Sequence, residues 1–146
     1  SDATAPVNIF RSFATATNAG GTSGTVQSSN TISASSSSPA TAPGIPGTPT
    51  NGWTSGLSYP FSWTSATPGT VSGGGAATIS SYQIRIYRAS SSSGTGATLY
   101  NTYTSVGSGT SYTFTAPDGQ YYAASVSATN SAGLTSSSYS GISLYK

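Results

Sequence analysis

From residue 43 to the C-terminus, apolar and polar positions alternate in short runs separated by Gly, Pro, Asn and Asp. Tyr59, Phe61 and Trp63 stand two apart, interrupted in pattern only by Pro60. Tyr82, Ile84 and Ile86 alternate with Gln83, Arg85 and Tyr87, and Tyr122, Ala124, Val126 and Ala128 alternate with Ala123, Ser125, Ser127 and Thr129. Shorter strands are predicted over Thr98–Tyr103 and Tyr112–Phe114, and a last one over Ser137–Tyr145. A period of two with one apolar face predicts antiparallel strands that share a core. Trp63, Ile84, Ile86, Phe114, Tyr122 and Val126 are the centre of that expected core. Tyr59, Phe61, Ile79, Tyr82, Leu99, Tyr112, Ile142 and Leu144 complete the inward set.

Residues 1–42 have another texture. One apolar stretch, Val7-Asn8-Ile9-Phe10-Arg11-Ser12-Phe13, is followed by a turn at Gly20-Gly21, then by Thr25-Val26 and Ile32. Ser35-Ser36-Ser37-Ser38-Pro39 closes the segment with the composition of a linker. Helix is disfavoured throughout, because Ser, Thr and Gly dominate and strong helix formers other than Ala are scarce. The expected organisation is an extended N-terminal arm over 1–42 and one all-β domain over 43–146.

Composition removes most chemistry. Charged residues are 4% of the chain, against about 25% in an average soluble protein. Asp2, Arg11, Arg85, Arg88, Asp118 and Lys146 are all of them, with no His, Glu or Cys. General acid–base catalysis usually draws on His, Glu, Asp, Lys, Tyr or Cys of tuned pKa; with no His, Glu or Cys, an enzyme is not expected. Asp118 sits in Pro117-Asp118-Gly119, a turn sequence, and Asp2 is remote from it in sequence. Without His or Cys there is no zinc set, and two separated carboxylates make no calcium cage; neither metal nor cofactor is expected. Four basic residues spread along the chain are no nucleic-acid footprint. No apolar run approaches the length of a membrane span. With so few titratable groups, stability should vary little with pH.

Ser and Thr occupy 55 of the 146 positions, yet ten Tyr, four Phe and two Trp supply what a disordered chain lacks. The opening Ser-Asp-Ala-Thr-Ala-Pro, without Met, suggests a processed or a trimmed N-terminus; a removed signal peptide would explain it, in keeping with the expected extracellular location. No Asn-x-Ser/Thr sequon occurs, whereas Ser33–Thr41 would accept O-glycosylation.

The domain pattern resembles a fibronectin type III-like, immunoglobulin-like antiparallel β-sandwich. The resemblance rests on Pro46-Gly47-Thr48-Pro49 at the entry, Trp63 on the second strand, Tyr82–Tyr87 in the third-strand position and Tyr112-Thr113-Phe114-Thr115. Its longest motif is Gly119–Gly133, which is similar to the penultimate strand and following turn of that family. It implies that Tyr122 forms a tyrosine corner, its hydroxyl bonding upstream backbone. Fold resemblance of this kind implies little about function.

Two features point to function. An arm with Val7, Ile9, Phe10 and Phe13 suits strand addition to a neighbouring subunit, and a head-to-tail contact of that kind propagates as a helical filament. Sheet edges nearly free of charge lack the usual guard against pairing. A homo-oligomeric extracellular filament or surface subunit, of cell or virion, is therefore the leading expectation, with the arm folding back on its own domain as the alternative. Tyr87, Tyr100, Tyr103 and Tyr121 are candidate surface aromatics; exposed Tyr stacks on sugar rings or anchors protein contacts, which makes glycans a second candidate partner.

Overall fold

The computed structural model describes residues 8–10, 13–15, 17–22, 24, 26–27, 32–34 and 38–146. The chain falls into two compact units, Ser1–Ser38 and Pro39–Lys146. The second unit thus begins at Pro39, ahead of the Pro43 start that composition suggested.

The first unit is a set of nested antiparallel pairs. β1 (Asn8–Phe10) pairs with β6 (Ile32–Ala34), β2 (Phe13–Ala14) with β5 (Val26–Gln27), and β3 (Thr17–Asn18) with β4 (Gly21–Thr22). Asn18 stands opposite Gly21, leaving Ala19 and Gly20 as the tip. The Asn18 side chain accepts the Gly20 N–H at 2.8 Å, and Gly21 at φ 130° uses a backbone region closed to most residues. Among the described residues, each of these six short strands has an antiparallel partner within the unit. The Gly20-Gly21 turn is what folds it back.

The second unit is all β. β7 (Thr50–Asn51), β8 (Ser58–Ser62) and β11 (Ser111–Thr115) form one antiparallel sheet in the order β11-β8-β7. β9 (Ile79–Ala89), β10 (Thr98–Tyr103) and β12 (Tyr121–Asn130) form the other in the order β10-β9-β12. The inner faces meet through Tyr59, Phe61 and Trp63 of β8, Tyr82, Ile84 and Ile86 of β9, Phe114 of β11, and Tyr122, Ala124, Val126 and Ala128 of β12, all buried. Ile79 and Tyr112 are partly buried against this cluster. Aromatic rings carry much of the packing: Phe114 and Tyr122 lie 5.0 Å apart, Tyr59 and Tyr122 5.2 Å, and Trp63 and Tyr82 5.3 Å, distances at which tilted pairs attract beyond simple burial.

Both flanks of the sandwich are irregular, for identifiable reasons. Before β7, Thr41, Gly44 and Gly47 donate backbone N–H to the carbonyls of Thr70, Thr67 and Thr64. This three-residue repeat leaves Pro43, Pro46 and Pro49, which have no N–H, buried between the bonded positions. The segment passes close to these threonines: a Cβ at Gly44 would lie 2.5 Å from Thr67 Oγ1, and one at Gly47 3.0 Å from Thr64 Cβ.

The last strand expected over Ser137–Tyr145 is not a regular strand. Residues 136–146 run along residues 122–128 of β12, tied where Ser136, Ser140, Ser143 and Lys146 donate N–H to the carbonyls of Ala128, Val126, Ala124 and Tyr122. Each of the three serines also accepts, through Oγ, the N–H of the same β12 residue, at 3.1, 3.0 and 3.0 Å. Side-chain oxygens thus replace backbone carbonyls, and the intervening residues loop out. Alternation fails with the ladder, so Ile142 and Leu144, expected inward, are 47% and 76% exposed. Leu99, also expected inward, is 50% exposed on the edge strand β10, beside a bulge.

Candidate functional site

The outer face of β12 explains why burial along it does not alternate. Ala123 and Ser125, side by side with Tyr87 and Arg85 on β9, are buried although they face away from the core. Tyr139 covers this face: its hydroxyl donates to Gln83 Oε1, and the Arg85 guanidinium carbon lies 3.8 Å from its ring centroid. Tyr87 shares a hydrogen bond with Ser125 Oγ at 3.3 Å. Small residues on β12 let these long side chains lie flat, so Arg85 and Tyr87 are packed parts of the surface.

The four candidate surface tyrosines do not form one platform. Tyr87 belongs to that covered outer face. Tyr103 is half-buried, with Tyr112 at 5.5 Å and Phe114 at 6.3 Å. Tyr121 is exposed at the start of β12. Tyr100 is the residue skipped in the β9–β10 register, which runs from Leu99↔Tyr87 to Asn101↔Ile86. A bulge re-aims the side chain it carries; here it sets the Tyr100 ring edge-on to Phe114 and Tyr122, both 5.8 Å away.

Beside Tyr100 the surface is concave. Arg88, Ser90, Thr98, Leu99, Tyr100 and Gln120 line a hollow of about 360 Å³. Its polar end is fixed by Asp118. One carboxylate oxygen accepts the Gln120 N–H at 3.0 Å and the Tyr122 hydroxyl at 2.9 Å, and the other lies 3.3 Å from Arg88 Nη2. The Gln120 bond is the expected turn role of Asp118. That bond first, then the Tyr122 hydroxyl and then Arg88, hold the Asp118 carboxyl below its ordinary range. Burial first, then the Asp118 contact, push the Tyr122 phenol well up. The resemblance implied a backbone acceptor for Tyr122; the acceptor is instead the Asp118 side chain, because the turn brings a charged oxygen, the stronger acceptor, within reach.

A second groove, of about 370 Å³, runs between Thr48–Asn51 and Ile142–Lys146. Asn51 spans its floor. Its amide donates to the carbonyls of Tyr122 at 2.9 Å and Leu144 at 3.2 Å, while its oxygen accepts the Trp53 N–H. Asn130 plays the matching part at the other end: it donates to Thr41 and Pro68 carbonyls and accepts from Ala132 and Leu134 N–H. Sequence reasoning passed over both Asn residues, since nothing local distinguishes a bridging Asn from a turn Asn.

Of the arm residues, Val7 lies outside the described residues. Ile9 and Phe10 stand opposite Ser33 and Ile32, and Phe13 opposite Gln27.

No family model matches the chain, and no curated protein matches it in sequence. Among solved structures it is similar to the crystal structure of domains A168-A170 from titin, with a TM-score of 0.51 and 21% identity, over 84% of this chain and 36% of that one. It is also similar to titin module A71 from human cardiac muscle, with a TM-score of 0.50 and 19% identity, over 70% of this chain and 89% of that one. The chain spans little more than a third of the first of these. The two-sheet architecture, the strand order and these likenesses agree: the second unit has the fibronectin type III-like, immunoglobulin-like β-sandwich fold.

Proposed function

We propose that this chain is a structural subunit of an extracellular filament or surface assembly, in which strand addition by the N-terminal unit joins one subunit to the next. The observation that carries this reading is the contrast between two flanks of the sandwich. Pro43 and Pro46 withhold N–H groups along one, a usual guard against pairing. Along the other, residues 119–145 contain no charge, and Ile142 and Leu144 stand exposed beside the groove over Thr48–Asn51. Four residues of the segment take up β12; the N–H groups of Ile142 and Leu144 are not among them. A strand laid there gains backbone bonds and a place for apolar side chains.

The N-terminal hairpin supplies the complementary need. A two-stranded ladder is marginal by itself in water, so it gains stability from any sheet it extends. One donor and one acceptor on a single chain make a heterologous contact, which propagates rather than closes.

Sedimentation and electron microscopy test this on the full chain, on residues 39–146 and on Leu144→Asp. Long polymers from the full chain, with the other two monomeric, are expected. A full chain that stays monomeric at high concentration would refute the proposal.

A further inference from the structure

The hollow beside Tyr100 has features that sandwich packing does not require. Tyr100 is 40% exposed, yet its ring is gripped from behind by Phe114 and Tyr122. That makes it a fixed aromatic face, whose ordering cost is already met before anything binds. Thr98 and Gln120 line the hollow, and among the described residues neither the Gln120 side-chain amide nor the Thr98 hydroxyl has a protein partner. Arg88 is held by Asp118, which is itself fixed by the Gln120 N–H and the Tyr122 hydroxyl.

From this geometry we infer a binding site for a neutral glycan, one pyranose ring lying against Tyr100 with its hydroxyls reaching Gln120, Thr98 and Arg88. The chemistry selects the ligand class. An aromatic face attracts the C–H side of a sugar ring. An amide, which both donates and accepts, and a hydroxyl match sugar hydroxyls in either sense. Asp118 cancels the charge of Arg88, so the site has no net pull on an anion. Its polar rim disfavours a wholly apolar ligand, and about 360 Å³ is near the lower end of ligand pockets, at roughly 300–1,000 Å³. The inference does not rest on polymerisation: Tyr100, Gln120, Thr98 and Arg88 are not residues that the proposed strand addition uses.

Saturation-transfer difference NMR on the full chain, with cellohexaose, maltohexaose, chitohexaose and mannohexaose as separate probes, tests it. The method observes the sugar and so works whether the chain is monomeric or polymeric. Transfer to the ring C–H protons of at least one probe is expected, with affinity reduced by about tenfold or more, equivalent to about 1.4 kcal/mol, in both Tyr100→Ala and Gln120→Ala, and unchanged in Tyr121→Ala. If Tyr100→Ala fails to fold, Gln120→Ala and Thr98→Val carry the same test. No transfer from any of the four, transfer that survives the pocket variants, or preference for a sulfated heparin hexasaccharide would each overturn it.

Discussion

The Tyr122 hydroxyl donates to the Asp118 carboxylate across 2.9 Å, joining the start of β12 to the turn that precedes it. The same oxygen takes the Gln120 N–H, so one carboxylate both shapes the turn and anchors a fully buried ring of the core. The Arg88 contact adds little by itself, because both partners are substantially exposed, at 43% and 38%. Tyr122→Phe and Asp118→Ala should each lower the melting temperature. The double variant should be little worse than the more damaging single one, since partners in one network are not additive. Thermal denaturation of the four proteins reads this directly. Strict additivity would mean that the bond contributes nothing.

The pH dependence follows from the same groups. Asp118 is lowered from an ordinary value of 3.8, by the Gln120 N–H first and the Tyr122 hydroxyl second. A lowered carboxyl stabilises fully above its unfolded pKa, and that contribution is lost as pH falls through the folded one. Tyr59, Tyr112, Tyr122 and Tyr145 are raised from 10.0, burial being the largest cause in each. Their contribution is complete below pH 10 and is lost as pH rises beyond it. With no His in the chain, stability should be flat from about pH 5 to about pH 9. Melting curves across pH 2–12 should show that plateau, and Asp118→Asn should shrink the acid limb and also reduce the alkaline one, because the Asp118 charge helps to raise the Tyr122 and Tyr59 phenols.

Period-two reasoning worked where strands have two neighbours. Tyr82, Ile84 and Ile86 lie on β9, between β10 and β12, so the pleat forces every second side chain inward. It failed at the margins. Ile142 and Leu144 are as apolar as Ile84, but they follow serines whose hydroxyls displace the backbone from the ladder. Leu99 precedes the bulge at Tyr100, which shifts the register on β10. Asn51 and Asn130 were invisible for a different reason: their partners at Tyr122, Leu144, Thr41 and Pro68 are remote in sequence. Tyr100 was recognisable as a candidate, whereas its hollow depends on Gln120, brought beside it only by folding.

The serine ladder makes its own prediction. Ser140→Ala keeps the Val126 carbonyl bonded through the backbone but removes the acceptor of the buried Val126 N–H, held at 3.0 Å. An unsatisfied buried donor costs about 1–3 kcal/mol, and Ser136→Ala and Ser143→Ala should cost similar amounts. Thr at the same sites retains an oxygen and should recover part of the loss. Urea unfolding gives the magnitude. Hydrogen exchange gives the location: the Val126 amide should lose protection in Ser140→Ala, and the Ala124 amide in Ser143→Ala. Uniform loss across β12 would mean that the serines act through global stability alone.

Two glycines separate backbone strain from crowding. Gly69 and Gly133 share nearly the same left-handed conformation, at φ 75° and φ 77°, so Ala at either costs about 1–2 kcal/mol for the conformation itself. At Gly133 a Cβ meets nothing within 4 Å. At Gly69 it would lie 2.5 Å from the Thr41 carbonyl oxygen and 2.6 Å from that of Ala42. Both belong to backbone, which cannot rotate away as a side chain can. Thr41 is also bonded to Thr70 and Asn130, so relief of the clash would break contacts that hold the entry segment. Gly133→Ala should therefore remain folded and lose only the conformational cost, while Gly69→Ala should lose several kcal/mol more or fail to fold. Denaturant titration of the pair decides it: equal losses would mean that the entry segment moves away freely and does not contribute to the sandwich.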